Sequence, residues 1–284
     1  MAESLSHKFG QIIGDLLELA LQPHLQKFAD EHKLFLDKKG SRIARPGKKV
    51  SWFDGNNNKH DLDFVIERGG SEEKIGVPVA FIESAWRRYT KHSRNKAQEI
   101  QSAIIPLANK YHGSSPFIGV HLAGEFTSGA LTQLESLNFA VLYFPYSTVI
   151  RAFAKFDIDA SFTESTEEAE FRSKIDSWNA LPDKSEVAKE LMLINKTEVD
   201  NFLVKLMNSI LRFIDRIIIL PLHGNESIIS TATEAIDFIS KYEESTTYLP
   251  VRKYEIIIRY NTGDRIEASF INKNDAIGFL QTYI

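Results

Sequence analysis

Residues 78–99 read Pro78-Val79-Ala80-Phe81-Ile82-Glu83-Ser84-Ala85-Trp86-Arg87-Arg88-Tyr89-Thr90-Lys91-His92-Ser93-Arg94-Asn95-Lys96-Ala97-Gln98-Glu99. An apolar run delivers one carboxylate, and a basic segment free of acids follows at once. Upstream, His60-Asp61-Leu62-Asp63-Phe64-Val65-Ile66 is a second apolar run that starts on carboxylates. Val77 to Ala85 and Leu62 to Glu67 are therefore strand candidates, separated by a polar turn at Gly69-Gly70-Ser71. Downstream, residues 93–111 predict a helix with Ala97, Ile100, Ile104, Leu107, Ala108 and Tyr111 on one face.

The pattern continues outward in both directions. Phe117 to Leu122 and Phe139 to Phe144 predict strands, and Ser128 to Leu137 and Ser147 to Phe156 predict helices. Ahead of everything, residues 5–36 read as a helix, with Phe9, Ile12, Ile13, Leu16, Leu17 and Ala20 at helical spacing and Pro23 kinking or restarting it. The order helix, strands, helix, strand, helix, strand packs most economically as an α/β (α+β) fold, a mixed sheet flanked by helices. Beyond about residue 160 acidic helices are expected to about 215, and the end reads as a hairpin plus a helix. Tyr254, Ile256, Ile258 and Tyr260 alternate, Asn261-Thr262-Gly263-Asp264 turns, and Ile266, Ala268 and Phe270 alternate back. The expected division is a core over 1–156 and a mostly helical C-terminal region over 157–284, assigned to recognition or dimerisation by elimination.

Composition narrows the chemistry. The chain has 284 residues and no cysteine, so any metal must sit on oxygen or imidazole ligands. No apolar stretch is long enough to span a membrane and no basic-then-apolar leader opens the chain, so a cytoplasmic protein is the expectation. The net charge is −4, so binding of a polyanion would need local basic patches. Two stand out: Arg87 to Lys96, and Lys38 to Lys49, where Gly40, Pro46 and Gly47 suggest a mobile loop whose Lys48 and Lys49 could meet phosphate. No glycine-rich nucleotide loop and no Ser-His-Asp arrangement stand out.

Two carboxylates at strand ends can hold a divalent cation, and a basic segment beside them can hold a phosphate. Taken alone, such carboxylates are more often solvated surface groups. The stronger sign is the place of Glu83 inside an apolar run, where a buried acid without a partner is costly. A metal or a lysine partner offsets that cost.

The succession of Asp63, Glu83 and a basic helix on this element order resembles the PD-(D/E)xK nuclease superfamily, the fold of many type II restriction endonucleases. The resemblance covers residues 5–156 and rests on a short motif. It implies that Asp63 and Glu83 ligate Mg²⁺, with Mn²⁺ a possible substitute. Asp61 is the rival for the first position, and Glu18 matches the further acid that many members take from an N-terminal helix. Where the family has lysine two residues after its acid, this chain has Ala85.

Three explanations are open. The cation has moved to Arg87, Arg88, Lys91 or Lys96; a substitution has disabled the site; or the fold binds without cutting. On the first, Lys91 or Lys96 replaces the missing lysine, while Arg87, Arg88 and Arg94 grip flanking phosphates. The implied activity is metal-dependent cleavage of double-stranded DNA, with a homodimer expected for cutting both strands. The rivals are a catalytically inactive nuclease-fold DNA-binding protein and an RNA nuclease.

Overall fold

The computed structural model describes residues 4–222, 224–244 and 251–283. It divides into two compact units, residues 1–210 and 211–284.

The first unit opens with α1 (Leu5–Glu31), whose start is capped by the Ser4 hydroxyl accepting from the His7 amide at 3.2 Å. Pro23 lies within this helix without ending it. The expected helix over 5–36 is too long. The chain turns at Lys33, whose φ is +56°, and Leu34–Lys38 forms strand β1. Strands β2 (Val50–Phe53) and β3 (Lys59–Leu62) make a separate two-stranded ribbon, and β4 (Phe64–Arg68) and β5 (Val77–Arg87) follow. Then come α2 (Ser93–Lys110), β6 (Phe117–Gly124), α3 (Ser128–Ser136), β7 (Ala140–Pro145) and α4 (Tyr146–Ala154).

The five-stranded sheet has the order β1-β4-β5-β6-β7. The β1–β4 and β4–β5 pairs are antiparallel, whereas β5, β6 and β7 run parallel to one another. The molecule is thus a mixed sheet with flanking helices. The parallel strands read as continuous apolar runs because both faces are covered. On one face Phe81, Ala85, Val120 and Leu122 pack with Ala97, Ile100 and Ile104 of α2 and with Trp52 of the ribbon. On the other, α1 lies against β5 and β6. At the end of β6, Gly124 has φ +106°, and a Cβ there would sit 2.0 Å from the Arg87 carbonyl oxygen. Only glycine permits that approach, which brings the ends of β5 and β6 together.

The expected boundary near 156 falls inside this unit. Helices α5 (Glu168–Ala180), α6 (Ser185–Ile194) and α7 (Lys196–Ile210) bury Phe171, Trp178, Leu191 and Phe202, and α5 and α6 pack on α1. The apolar faces of these acidic helices extend the first core.

The basic loop after β1 is pinned rather than mobile. Arg42 forms a two-pronged pair with Glu67, its Nη2 lying 3.0 Å from Oε2, and Arg45 clasps Asp37 at 2.9 Å. All four side chains are buried. Removing one partner strands a buried charge, so Glu67→Ala is expected to destabilise the unit by about 3–5 kcal/mol. Urea unfolding followed by circular dichroism checks this, and a loss below about 1 kcal/mol would contradict it.

The expected mostly helical region over 157–284 is divided, its helices α5 to α7 belonging to the first unit, and the second unit is mixed. It contains β8 (Ile214–Pro221), β9 (Ser227–Ile229), α8 (Ala232–Lys241), β10 (Tyr254–Tyr260), β11 (Arg265–Phe270) and α9 (Lys273–Gln281). An antiparallel sheet of order β11-β10-β8-β9 carries both helices on one face, where Ile217, Tyr254, Ile256 and Ile258 meet Ile239 and Leu280. The β10–β11 hairpin has the expected alternation, with Tyr254 opposite Phe270. Among the described residues, no helix is long and apolar enough to cross a membrane.

Candidate metal and phosphate site

The site gathers where β4 begins and β5 runs out. Phe64 pairs with Ile82, so in the same antiparallel register Asp63 meets Glu83 across the two strands. Asp63 Oδ2 accepts the Ser84 backbone N–H at 2.7 Å, which fixes the carboxylate against β5. Glu83 shares the strand face of Phe81 and Ala85, toward α2. From α2, the Lys96 ammonium comes within 3.9 Å of Glu83 Oε1 and donates to Glu99 Oε1 at 2.7 Å. The Lys96 and Glu83 side chains are only 11% and 15% exposed. Glu83 Oε2 is buried and has no hydrogen-bond partner among the described residues.

Burial raises the pKa of Asp63, against the opposing pull of the Ser84 N–H and Lys96. Burial, and then the charge of Asp63, push Glu83 up to about 8. The same two causes raise Glu18 on α1 to about 7, with Lys39 opposing. All three carboxyl groups therefore bind a proton more tightly than isolated ones would, the mark of acids with too little positive charge around them.

This has a consequence for stability. Between the ordinary value of 4.5 and about 8, the folded chain keeps a proton on Glu83 that the unfolded chain has lost. The resulting stability is fully present below 4.5 and disappears as pH rises through about 8. Without divalent cation, the Tm of the wild type is expected to fall several degrees further than that of Glu83→Gln between about pH 5 and pH 8. Parallel melting curves for the two proteins would contradict this.

A cleft of 710 Å³ runs beside these groups, with Gln11 and Gly14 of α1 on one side and Ser84, Arg87 and Lys96 on the other. An adjoining hollow shares Gln11, Gly14 and Ser84 and adds Asp15, Glu18 and Lys39. Asp15 and Gln11 are absent from the sequence-derived site, whereas Lys39 belongs to the basic segment Lys38 to Lys49. Gln11, Asp15 and Glu18 recur at intervals of four and three, a polar stripe beside the apolar one of α1, and that spacing was the available signal. Lys39 lies 4.0 Å from Asp15 Oδ1 and is largely exposed.

The other expected residues fall elsewhere. Asp61 belongs to the β2–β3 ribbon, where Ser51 donates to it at 2.6 Å and Lys49 at 2.9 Å, which lowers its pKa to about 2. Although only two residues separate Asp61 from Asp63, they do not share one strand face, because the chain changes sheets between Leu62 and Phe64. Lys49 is thereby paired, and Lys48 is exposed on the loop. Lys91 precedes α2 in a 3₁₀ turn and donates to Glu164 at 2.6 Å on the surface. Arg88 gives two hydrogen bonds to the Phe162 carbonyl, at 2.8 and 2.6 Å, and stacks 4.2 Å over Tyr146. That is a structural tie. Arg87 donates to the Trp86 carbonyl at 2.8 Å and lines the cleft, and Arg94 is exposed on the first turn of α2.

Among the described residues, no group of three or more His, Asp or Glu could by itself hold a metal ion. Two carboxylates with a free buried oxygen still fit Mg²⁺, which keeps several waters and takes substrate oxygens as ligands.

No family model matches this chain, and no curated protein matches it. Among solved structures, one of a protein of unknown function, AF1548, aligns over 64% of this chain and 99% of its own. Identity is 14% and the TM-score 0.29, too low for an argument about fold or function.

Proposed function

We propose that this chain is a Mg²⁺-dependent DNA endonuclease of the PD-(D/E)xK type, most akin to type II restriction endonucleases. One observation carries the reading. The largely buried acids Asp63 and Glu83 meet across β4 and β5 beside the enclosed ammonium of Lys96, next to a cleft lined by Ser84 and Lys96, and Glu83 retains an unpartnered buried oxygen. A surface pair of carboxylates with no task would sit in water.

The residues divide the work as follows. Asp63 and the free oxygen of Glu83 would hold the ion, with Glu18 further out. A bound divalent cation supplies Lewis acidity toward the phosphate and an acidified water. Lys96 replaces the lysine absent at Ala85, reaching the acid from α2 rather than from β5. Its ammonium is placed to orient the attacking water and to balance charge that builds on phosphorus. The water oxygen joins phosphorus, one P–O ester bond breaks, and a proton passes to the departing oxygen. Arg87 and Lys39 flank the cleft and its adjoining hollow and would contact neighbouring phosphates. Cutting both strands at one place calls for a homodimer.

Ala85 favours one second reading, a nuclease fold that binds DNA without cutting. Digesting duplex DNA and duplex RNA in parallel, with Mg²⁺, Mn²⁺ or EDTA, separates the readings. The proposal expects metal-dependent cutting of DNA. Cutting of RNA alone would move the activity to an RNA nuclease, and silence on both would favour the binding protein.

A further inference from the structure

The sheet of the second unit has two faces, and the core formed with α8 and α9 takes one of them. Along β10 the side chains alternate, so Tyr254, Ile256 and Ile258 enter that core while Ile257 and Arg259 face the other way. Register decides what stands beside Arg259. Its partners are Arg265 on β11 and Arg216 on β8. Three arginines therefore cross three strands in one row, with adjacent strands about 4.8 Å apart.

Like charges directly opposite one another across strands destabilise a sheet. The two outer arginines are only partly balanced: Arg265 Nε lies 3.1 Å from Glu267 Oε1, and Arg216 Nε lies 3.6 Å from Asp215 Oδ2. These side chains are about half exposed, where such pairs contribute little. The central Arg259 has a buried Nε with no acceptor among the described residues. A row that costs stability in the free protein is explained by a ligand that brings its own negative charges.

We infer that this face binds the phosphate backbone of duplex DNA, the three arginines holding neighbouring phosphates. Cations at fixed spacing on rigid strands match a polymer with anions at fixed spacing, and guanidinium suits phosphate better than ammonium does. With a net charge of −4, the chain attracts DNA only through such local patches. The choice of DNA among polyanions rests on the nuclease reading, and the surface would serve as its second anchor.

The test uses the full chain and a short mixed-sequence duplex in EDTA, followed by fluorescence anisotropy across a salt series. The triple change Arg216→Gln, Arg259→Gln, Arg265→Gln is expected to weaken binding at least about tenfold near 0.1 M salt. The slope of log K against log salt should shrink by about two to three. The matching triple Lys variant should keep most of the slope, and the Gln variant should melt no lower than wild type at low salt. Unchanged affinity and slope in the Gln variant would overturn the inference. So would a shift from dimer to monomer on sedimentation with DNA affinity per chain unchanged, which would assign the face to a second copy. If wild type cuts DNA but the Gln variant binds normally, this inference alone fails. If nothing is cut yet the salt slope depends on the arginines, only the nuclease reading fails.

Discussion

Replacing Lys96 with alanine is expected to slow DNA cleavage by about 10²–10³-fold while duplex affinity stays within about threefold. The ammonium is nearly enclosed and lies 3.9 Å from Glu83, so its charge acts at the carboxylates rather than along the groove. A single cation lost from a site this enclosed removes much of the charge balance in the transition state, but only one of many contacts to the DNA backbone. The informative control adds Ala85→Lys to the Lys96→Ala protein. Ala85 lies on the same strand face as Glu83, two residues on, so a lysine there points toward the same carboxylates. Partial recovery of cutting would show that the charge, not the packing of α2, was lost. Ala85 is only 5% exposed, and the added chain length makes recovery incomplete. A Lys96→Ala protein that cuts at the wild-type rate would remove Lys96 from the mechanism.

Glu83→Gln is expected to reduce cleavage by more than about 10³-fold and to weaken Mg²⁺ binding measured by titration calorimetry. The substitution keeps the shape and removes the charge. Its effect on stability should run the other way. Glu83 is held up at about 8 by burial and by Asp63, so above that pH the folded protein carries adjacent buried negative charges. Neutralising one of them should raise the Tm of the metal-free protein at alkaline pH. A residue kept for packing or for a structural ion pair would instead lose stability when changed. Loss of activity together with gain of metal-free stability is therefore the signature of a site built for a cation. If Glu83→Gln lowers the Tm and leaves Mg²⁺ binding intact, the acid is structural.

Much of the fold was legible because its signals are local. The apolar run of β5, the helical stripe of α2 and the alternation of the β10–β11 hairpin each fix one element without knowledge of distant partners. Asp63 and Glu83 could be named because they end or interrupt such runs. What failed depended on long-range pairing. Glu67 lies 25 residues from Arg42, and Asp37, 8 residues before Arg45, meets it only once β1 and the loop have folded back together, so Arg42 and Arg45 looked like a basic loop. Asp61 looked like a rival to Asp63 because the point between them where the chain leaves one sheet for another leaves no mark in the sequence. Lys91 and Lys96 looked interchangeable because the partners that separate them, Glu83 for Lys96 and Glu164 for Lys91, are brought in by other elements. Three residues of β1, Leu34 to Leu36, continued the apolar texture of α1, and only the turn at Lys33 separates them. The arginine row in the second unit is invisible in sequence, since β8 precedes β10 by roughly 40 residues.

The most direct measurement is digestion of a supercoiled, mixed-sequence plasmid by wild type and Glu83→Gln, each with Mg²⁺ and with EDTA. The account predicts discrete fragments from wild type in Mg²⁺ and none from the other three reactions. An intact plasmid in all four reactions, or fragments that persist in EDTA or in Glu83→Gln, would contradict it.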